Sequence, residues 1–221
     1  MSDENSALGL PVYDYILDLI MTRELLPGEK IQENKIAEMF GISRTPVREA
    51  MRQLANEGII TILPKRYATV STFSPDTIKE IGIMRISLDS LAIKLCMLQG
   101  NYLDFLRLKE IAGECAAAYL ANDYALKCKL DMEFHGELAN ISKNSLLIKF
   151  QKEINMRVQF ITLNYPNSSS NTQESADQHI QIADALIERN EAKALETALN
   201  HLSKFYLLSE TYPPNFFDSY L

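Results

Sequence analysis

Few side chains in this sequence are suited to chemistry, and they are unevenly placed. There are three histidines, His135, His179 and His201. Asp131 stands four residues before His135, so on a helix the carboxylate and the imidazole share a face. Groups of these types at this spacing suit a divalent metal, held at about 2.0–2.2 Å per ligand in the case of zinc. The segments around His179 and His201 also read as helices. If these helices pack antiparallel in one bundle, four ligands converge in its interior, where such folds build their sites. The competing reading is three unrelated, half-buried helix histidines, with Asp131 a first-turn charge or a salt-bridge partner. Cys96, Cys115 and Cys128 share no zinc spacing and read as small buried hydrophobes. Met84, Met97, Met132 and Met156 fit helix stripes and read as core or pocket lining.

A second group is cationic. In Ser43-Arg44-Thr45-Pro46-Val47-Arg48-Glu49-Ala50 the two arginines are four apart, and Arg52 extends the row by one turn. Arginine's planar fork matches guanine O6 and N7, or a phosphate. Ser43 and Thr45 can bond phosphates or base edges, and a helix N-terminus itself attracts phosphate. Residues 44–66 carry five basic side chains (Arg44, Arg48, Arg52, Lys65, Arg66) against Glu49 and Glu57, a net of +3 in a chain whose net charge is −7. A basic island on an acidic protein fits DNA binding confined to one face. The alternative is a merely solvated helix face.

The elements around these groups follow from periodicity. Val12, Tyr13, Ile16, Leu19 and Ile20 form a helical stripe that Leu26-Pro27-Gly28 stops. Asn34 to Phe40 reads as a short helix, with Gly41 where a helix end favours positive φ. Ser43 is a natural N-cap for the next helix, Pro46 falls in its first turn, and Val47, Ala50, Met51 and Leu54 make its buried stripe. Ile59–Leu63 and Ala68–Ser71 read as two strands joined by Pro64-Lys65-Arg66-Tyr67, a hairpin whose basic tip could act as a wing. Beyond it only helices are expected, near 76–98, 102–121, 123–141, 144–163, 173–189 and 191–209. The predicted organisation is a DNA-binding domain over 8–72, a linker over 73–77, a helical domain over 78–210, and a tail over 211–221.

Composition bounds the function. At 221 residues, 47% hydrophobic and 23% charged, with eight Gly and eight Pro, the chain reads as globular. Three cysteines argue against a secreted disulfide scaffold and for a reducing, cytoplasmic setting. No signal peptide is evident, and no run approaches the ~18 apolar residues of a membrane span.

The Ser43–Ala50 run, with Ile20 to Gly28, Ile36-Ala37 and Leu54 to Ile60, resembles the winged helix of the GntR family of bacterial transcription regulators. Arg85-Ile86-Ser87-Leu88-Asp89, Asp131-Met132-Glu133-Phe134-His135, Asn144, His179 with Ala183-Asp184-Ala185-Leu186, and His201-Leu202 resemble the FCD effector domain, which marks the FadR-type branch of that family. The resemblance spans residues 10–209. It implies a mainly α protein, an N-terminal winged helix-turn-helix followed by an all-helical bundle, with Ser43, Arg44, Thr45 and Arg48 as the main DNA contacts. It also implies a metal held by Asp131, His135, His179 and His201, with a small organic acid bound over it. Zinc and nickel both suit these ligands. Two features depart from the family pattern: Tyr67 stands where a wing-tip Gly is common, and Asn34 where some relatives carry an arginine. Arg85 and Arg157 are candidates to hold the acid's other end, or to form salt bridges between helices.

The function expected is therefore a DNA-binding regulator, a homodimer on a palindromic operator, whose affinity for double-stranded DNA responds to the acid. An alternative makes the metal itself the signal. A metal-dependent enzyme is the third possibility, but Glu133 and Glu137 lie two residues either side of His135, roughly opposite the Asp131–His135 face. No nucleophile triad, phosphate loop or dinucleotide fingerprint is present.

Overall fold

The computed structural model describes residues 2–63, 67–165 and 172–206 together with 208, 212, 213 and 216, and side chains from Leu10 onward. The chain divides into two compact units, Met1–Phe73 and Ser74–Leu221.

The first unit runs α1 (Ser2–Met21), β1 (Lys30–Ile31), α2 (Glu33–Phe40), α3 (Arg44–Asn56), β2 (Ile60–Ile62) and β3 (Ala68–Val70). Val12, Ile16 and Ile20 of α1 are fully buried, as are Val47 and Leu54 of α3, and the two helices pack together. Helix α1 extends back through Pro11 to Ser2, ten residues before the apolar stripe begins. Tyr13 Oη donates to Glu57 Oε2 at 2.6 Å, tying α1 to the end of α3. Between α2 and α3 the turn is only Gly41-Ile42-Ser43. Gly41 adopts φ 63°, so its N–H reaches Glu38 O and the Ile42 N–H reaches Ala37 O, which satisfies the last carbonyls of α2. Ser43 occupies the N-cap of α3 with extended backbone, but its hydroxyl makes no capping bond, a departure from the expectation.

The sheet is three-stranded and antiparallel, order β1-β3-β2, with Lys30 opposite Thr69 and Ile60 opposite Val70. Only the β2–β3 hairpin was expected. Strand β1 has two residues, too few for alternation to register, and it pairs with a partner almost forty residues away. Its approach is fixed by Gly28 (φ 86°), whose N–H donates to Val70 O at 3.0 Å. The predicted wing residues Lys65 and Arg66 lie outside the described residues.

The second unit holds α4 (Pro75–Gln99), α5 (Tyr102–Leu120), α6 (Tyr124–Ile141), α7 (Ser145–Asn164), α8 (Gln173–Ile187) and α9 (Glu191–Phe205). Helix α4 begins inside the stretch expected to be a linker: Ser74 Oγ accepts from Thr77 N at 3.1 Å, and Pro75 occupies the first turn, where it lacks no needed donor. The breaks fall where side chains cap and the backbone turns left-handed. Asn122 (φ 58°) precedes the cap Asp123, and Lys143 (φ 54°) precedes the cap Asn144.

Helix α4 packs on α6, α6 on α5, α5 on α8, α8 on α9, and α9 back on α4, while α7 lies against α4 and α6. Apolar residues such as Ile93, Phe105, Leu108, Ile182 and Leu186 fill one part of the interior of this closed circuit. The α4–α9 approach is tight at Gly82, where a Cβ would meet the Tyr206 ring at 2.4 Å. Cys96, Cys115 and Cys128 are free and buried, and burial pushes each thiol up to about 12. Among the described residues no helix is long and apolar enough to cross a membrane.

Candidate metal centre and candidate nucleic-acid interface

Polar side chains gather where α4, α6, α8 and α9 meet. Asp131 and His135 come from adjacent turns of α6, His179 from α8 and His201 from α9, and all four are buried. One ligand atom from each lies within 4.8 Å of all the others. His135 Nε2 is 3.1 Å from His179 Nε2, which is 3.2 Å from His201 Nε2 and 3.6 Å from Asp131 Oδ1. Bonds of about 2.0–2.2 Å to one metal put tetrahedral ligand atoms about 3.3–3.6 Å apart and octahedral neighbours about 2.8–3.1 Å apart. The spacings found match that range.

The surrounding groups orient these ligands. Asp89 Oδ2 lies 2.8 Å from His135 Nδ1, somewhat off hydrogen-bond alignment, and Gln178 Oε1 lies 3.1 Å from His201 Nδ1. A proton on each Nδ1 leaves Nε2 with its lone pair turned inward, the tautomer a metal requires. Phe134 stacks on His179 with ring centroids 4.5 Å apart. Burial, with neighbouring cations and histidines, pushes His179 down to about 3, and His201 is likewise driven well below its ordinary value, burial again leading. Burial alone would raise Asp131, but Lys127, His179, His135 and Arg85 outweigh it and hold the carboxyl well below its usual range.

Arg85, buried on α4, is drawn into the same cluster. Its Nε is 3.6 Å from Asp89 and its Nη2 3.8 Å from Asp131, long contacts that leave Nε without a hydrogen bond among the described residues. Arg157 is half-buried on α7, the helix that packs against α6. Several cluster members escaped the sequence analysis as site residues: Asp89, Lys127 (3.5 Å from Asp131 Oδ1), Gln178 and Tyr206. Two left a trace, since Arg85/Asp89 and Lys127/Asp131 are opposite charges four apart. Nothing comparable marked Gln178 or Tyr206.

In the first unit Ser43, Arg44, Thr45, Arg48 and Arg52 are all exposed on α3, while Val47, Ala50, Met51 and Leu54 anchor its other side. Arg44 and Arg48 line a groove with Glu33, Lys35 and Tyr67. Glu33 Oε1 lies 2.9 Å from Arg48 Nε, and Lys30 Nζ sits 3.9 Å above the Tyr67 ring. Neither Glu33 nor Lys30 was foreseen. A short helix, a three-residue turn and a second helix with a cationic exposed face make a helix-turn-helix able to enter a major groove.

Comparison with known proteins agrees. Residues 80–204 match the FCD domain, and residues 8–70 match the bacterial regulatory proteins of the gntR family. The Nta operon transcriptional regulator of Aminobacter aminovorans is 28% identical over 186 residues, covering 81% of this chain and 84% of that protein. The Uxu operon regulator of Haemophilus influenzae is 28% identical over 219 residues, covering 88% and 80%. Among solved structures, E. coli McbR/YncC shares the fold at a TM-score of 0.76 and 19% identity, over 93% of this chain and 98% of that one. A mainly helical chain with an exposed arginine row on a helix-turn-helix and a matching FCD domain thus belongs to the GntR family, as a DNA-binding transcriptional regulator of the FCD type and not an enzyme.

Proposed function

We propose that this regulator is a homodimer that reads a two-fold operator through Ser43, Arg44, Thr45, Arg48 and Arg52 of each copy, with Lys65 and Arg66 on the flanking backbone. In the second unit, Asp131, His135, His179 and His201 would hold one divalent metal, zinc or nickel. A small organic acid bound there shifts operator affinity. The observation that carries this reading is the convergence of four buried ligand atoms at metal-compatible spacing.

A bound divalent ion supplies two positive charges and coordination positions open to a carboxylate. The chain's own charges make that matter. Arg85 and Lys127 balance Asp89 and Asp131, and burial keeps His179 and His201 neutral. A dication therefore leaves the pocket at about +2 by formal count, and a buried excess charge calls for a counterion. An organic acid meets that need. Arg85, with an unsatisfied Nε, would receive its second acidic end, and Arg157 on α7 is the other candidate. The acid can act as a signal only by binding two arrangements of the protein unequally.

The test is operator affinity of the metal-free protein, the metal-loaded protein, and the metal-loaded protein with small mono- and dicarboxylates. Affinity should change with carboxylate only when metal is bound. Equal affinity in every arm would refute the reading, and a response complete with metal alone would make the metal itself the signal.

A further inference from the structure

Strand β1 presents a cation that the helix-turn-helix alone does not account for. Antiparallel pairing sets Lys30 opposite Thr69 and Ile31 opposite Ala68. Ile31 and Ala68 are buried, so Lys30 and its diagonal neighbour Tyr67 share the outer face. Tyr67 continues β3 by one residue, and its carbonyl accepts from Leu63 N at 2.9 Å. The Lys30 ammonium lies 3.9 Å above the centre of the Tyr67 ring. Lys30 is exposed and makes no ion pair among the described residues, so the ring holds its long side chain and no carboxylate does. A ring face attracts a cation without cancelling its charge, which leaves the ammonium able to meet an anion.

The place of this cation selects the anion. Tyr67 lines the groove that holds Arg44 and Arg48, and also a second groove where Arg48 stands with Arg52. In the first groove Lys35, Arg44 and Arg48 face Glu33 and Glu38, three cations against two anions, a net of only +1. A duplex seated there gains from further positive charge on the flank. Lys30 supplies it from the strand side, on backbone fixed by pairing with β3. A lysine is a point charge on a flexible stem, suited to a phosphate more than to the fork of a base edge. Holding that stem in advance lowers the cost of ordering it on contact.

We propose that Lys30 is a DNA-backbone contact whose ammonium takes one phosphate of the duplex, and that Tyr67 is the positioning residue that holds it there. The proposal rests on the reading of α3 as the groove-entering helix and adds a contact from outside the helix-turn-helix. The experiment is fluorescence anisotropy of the full-length protein on a duplex selected from a random pool and on a scrambled one, over a range of salt concentrations. The proteins are the parent, Lys30→Gln, Tyr67→Phe, Tyr67→Ala, Lys30→Gln with Tyr67→Ala, and Arg48→Ala, each checked for helix content by circular dichroism. Lys30→Gln should lower the slope of log affinity against log salt by about 1 for each copy bound, equally on both duplexes. Tyr67→Ala keeps the charge, so its slope should hold while affinity falls about 2- to 13-fold. Tyr67→Phe retains a ring face and should stay within about twofold of the parent. With Lys30 already replaced, Tyr67→Ala should cost less than about twofold. A Lys30→Gln slope equal to the parent's would overturn the phosphate site. A Tyr67→Ala loss of the same size with and without Lys30 would overturn the positioning role, since a ring that only supports the hairpin is indifferent to residue 30. If Arg48→Ala binds both duplexes like the parent, the reading of α3 falls, and the Lys30→Gln slope still decides the phosphate site by itself. A parent that binds neither duplex would overturn both.

Discussion

Glu33→Gln isolates what the Glu33–Arg48 pair does for DNA reading. The carboxylate lies 2.9 Å from Arg48 Nε, a charge contact off hydrogen-bond alignment, and both terminal nitrogens of the guanidinium remain to fork a guanine. The Arg48 side chain is 56% exposed and that of Glu33 24%, so the pair contributes only about 0.2–1 kcal/mol to stability and the variant should fold normally. Its effect belongs to binding. An arginine no longer held in place must be ordered on contact, at about 0.5–1.5 kcal/mol, which lowers specific affinity by about 2- to 13-fold. Non-specific affinity should hold or rise, because an acidic group beside the phosphates has been removed. The signature is therefore a fall in the ratio of specific to non-specific binding. Arg48→Ala should go further, losing about 1–3 kcal/mol on the operator. Both are read by fluorescence anisotropy on a duplex selected from a random pool and on a scrambled one, at several salt concentrations. If Glu33→Gln strengthened both complexes equally, Glu33 would be only a repulsive charge and the positioning argument would fall. If Arg48→Ala bound both duplexes like the parent, the assignment of α3 to the groove would fall.

Three further outcomes follow from the second unit. Asp89→Asn removes the carboxylate 2.8 Å from His135 Nδ1, and metal affinity, read by competition with a chromophoric chelator, should drop about 10- to 100-fold; unchanged affinity would remove Asp89 from the site. Phe134→Ala empties a fully buried position stacked on His179 and should cost about 3–5 kcal/mol in urea unfolding; a loss below about 1 kcal/mol would mean the site collapses around the gap. Metal-free protein should lose stability as pH falls from about 6.5 towards about 3, because His179, pushed down in the folded state, takes up its proton only on unfolding. The depressed Asp131 works in the same direction at the acidic end of that window, and a urea midpoint unchanged between pH 7 and 4 would contradict the His179 shift.

The parts of this molecule legible in the sequence are those governed by local rules. Helices α4–α9 declared themselves chiefly through the breaks between them, among them those at Asp123 and Asn144, whose side chains cap the helices that follow them. The Asp131–His135 pair was visible because four residues make one helical turn. That His179 and His201 join it depends on how α6, α8 and α9 pack, which spacing alone left open beside a bland alternative. Strand β1 was invisible because it exists only through pairing with β3. Glu33 and Gln178 were invisible for a related reason, since each meets its partner only through the way one helix packs on the next. Ser43 shows the opposite case, a strong capping type whose position followed the rule while its hydroxyl did not.

The most direct test of the metal-gated account is the number of divalent ions bound per chain. Calorimetric titration of zinc and of nickel into metal-free protein should give one ion per chain, and His179→Ala, which removes the nitrogen central to the cluster, should lower both affinity and occupancy. A parent that binds no ion, or a His179→Ala variant that keeps full stoichiometry at unchanged affinity, would contradict the four-ligand centre and the regulation built on it.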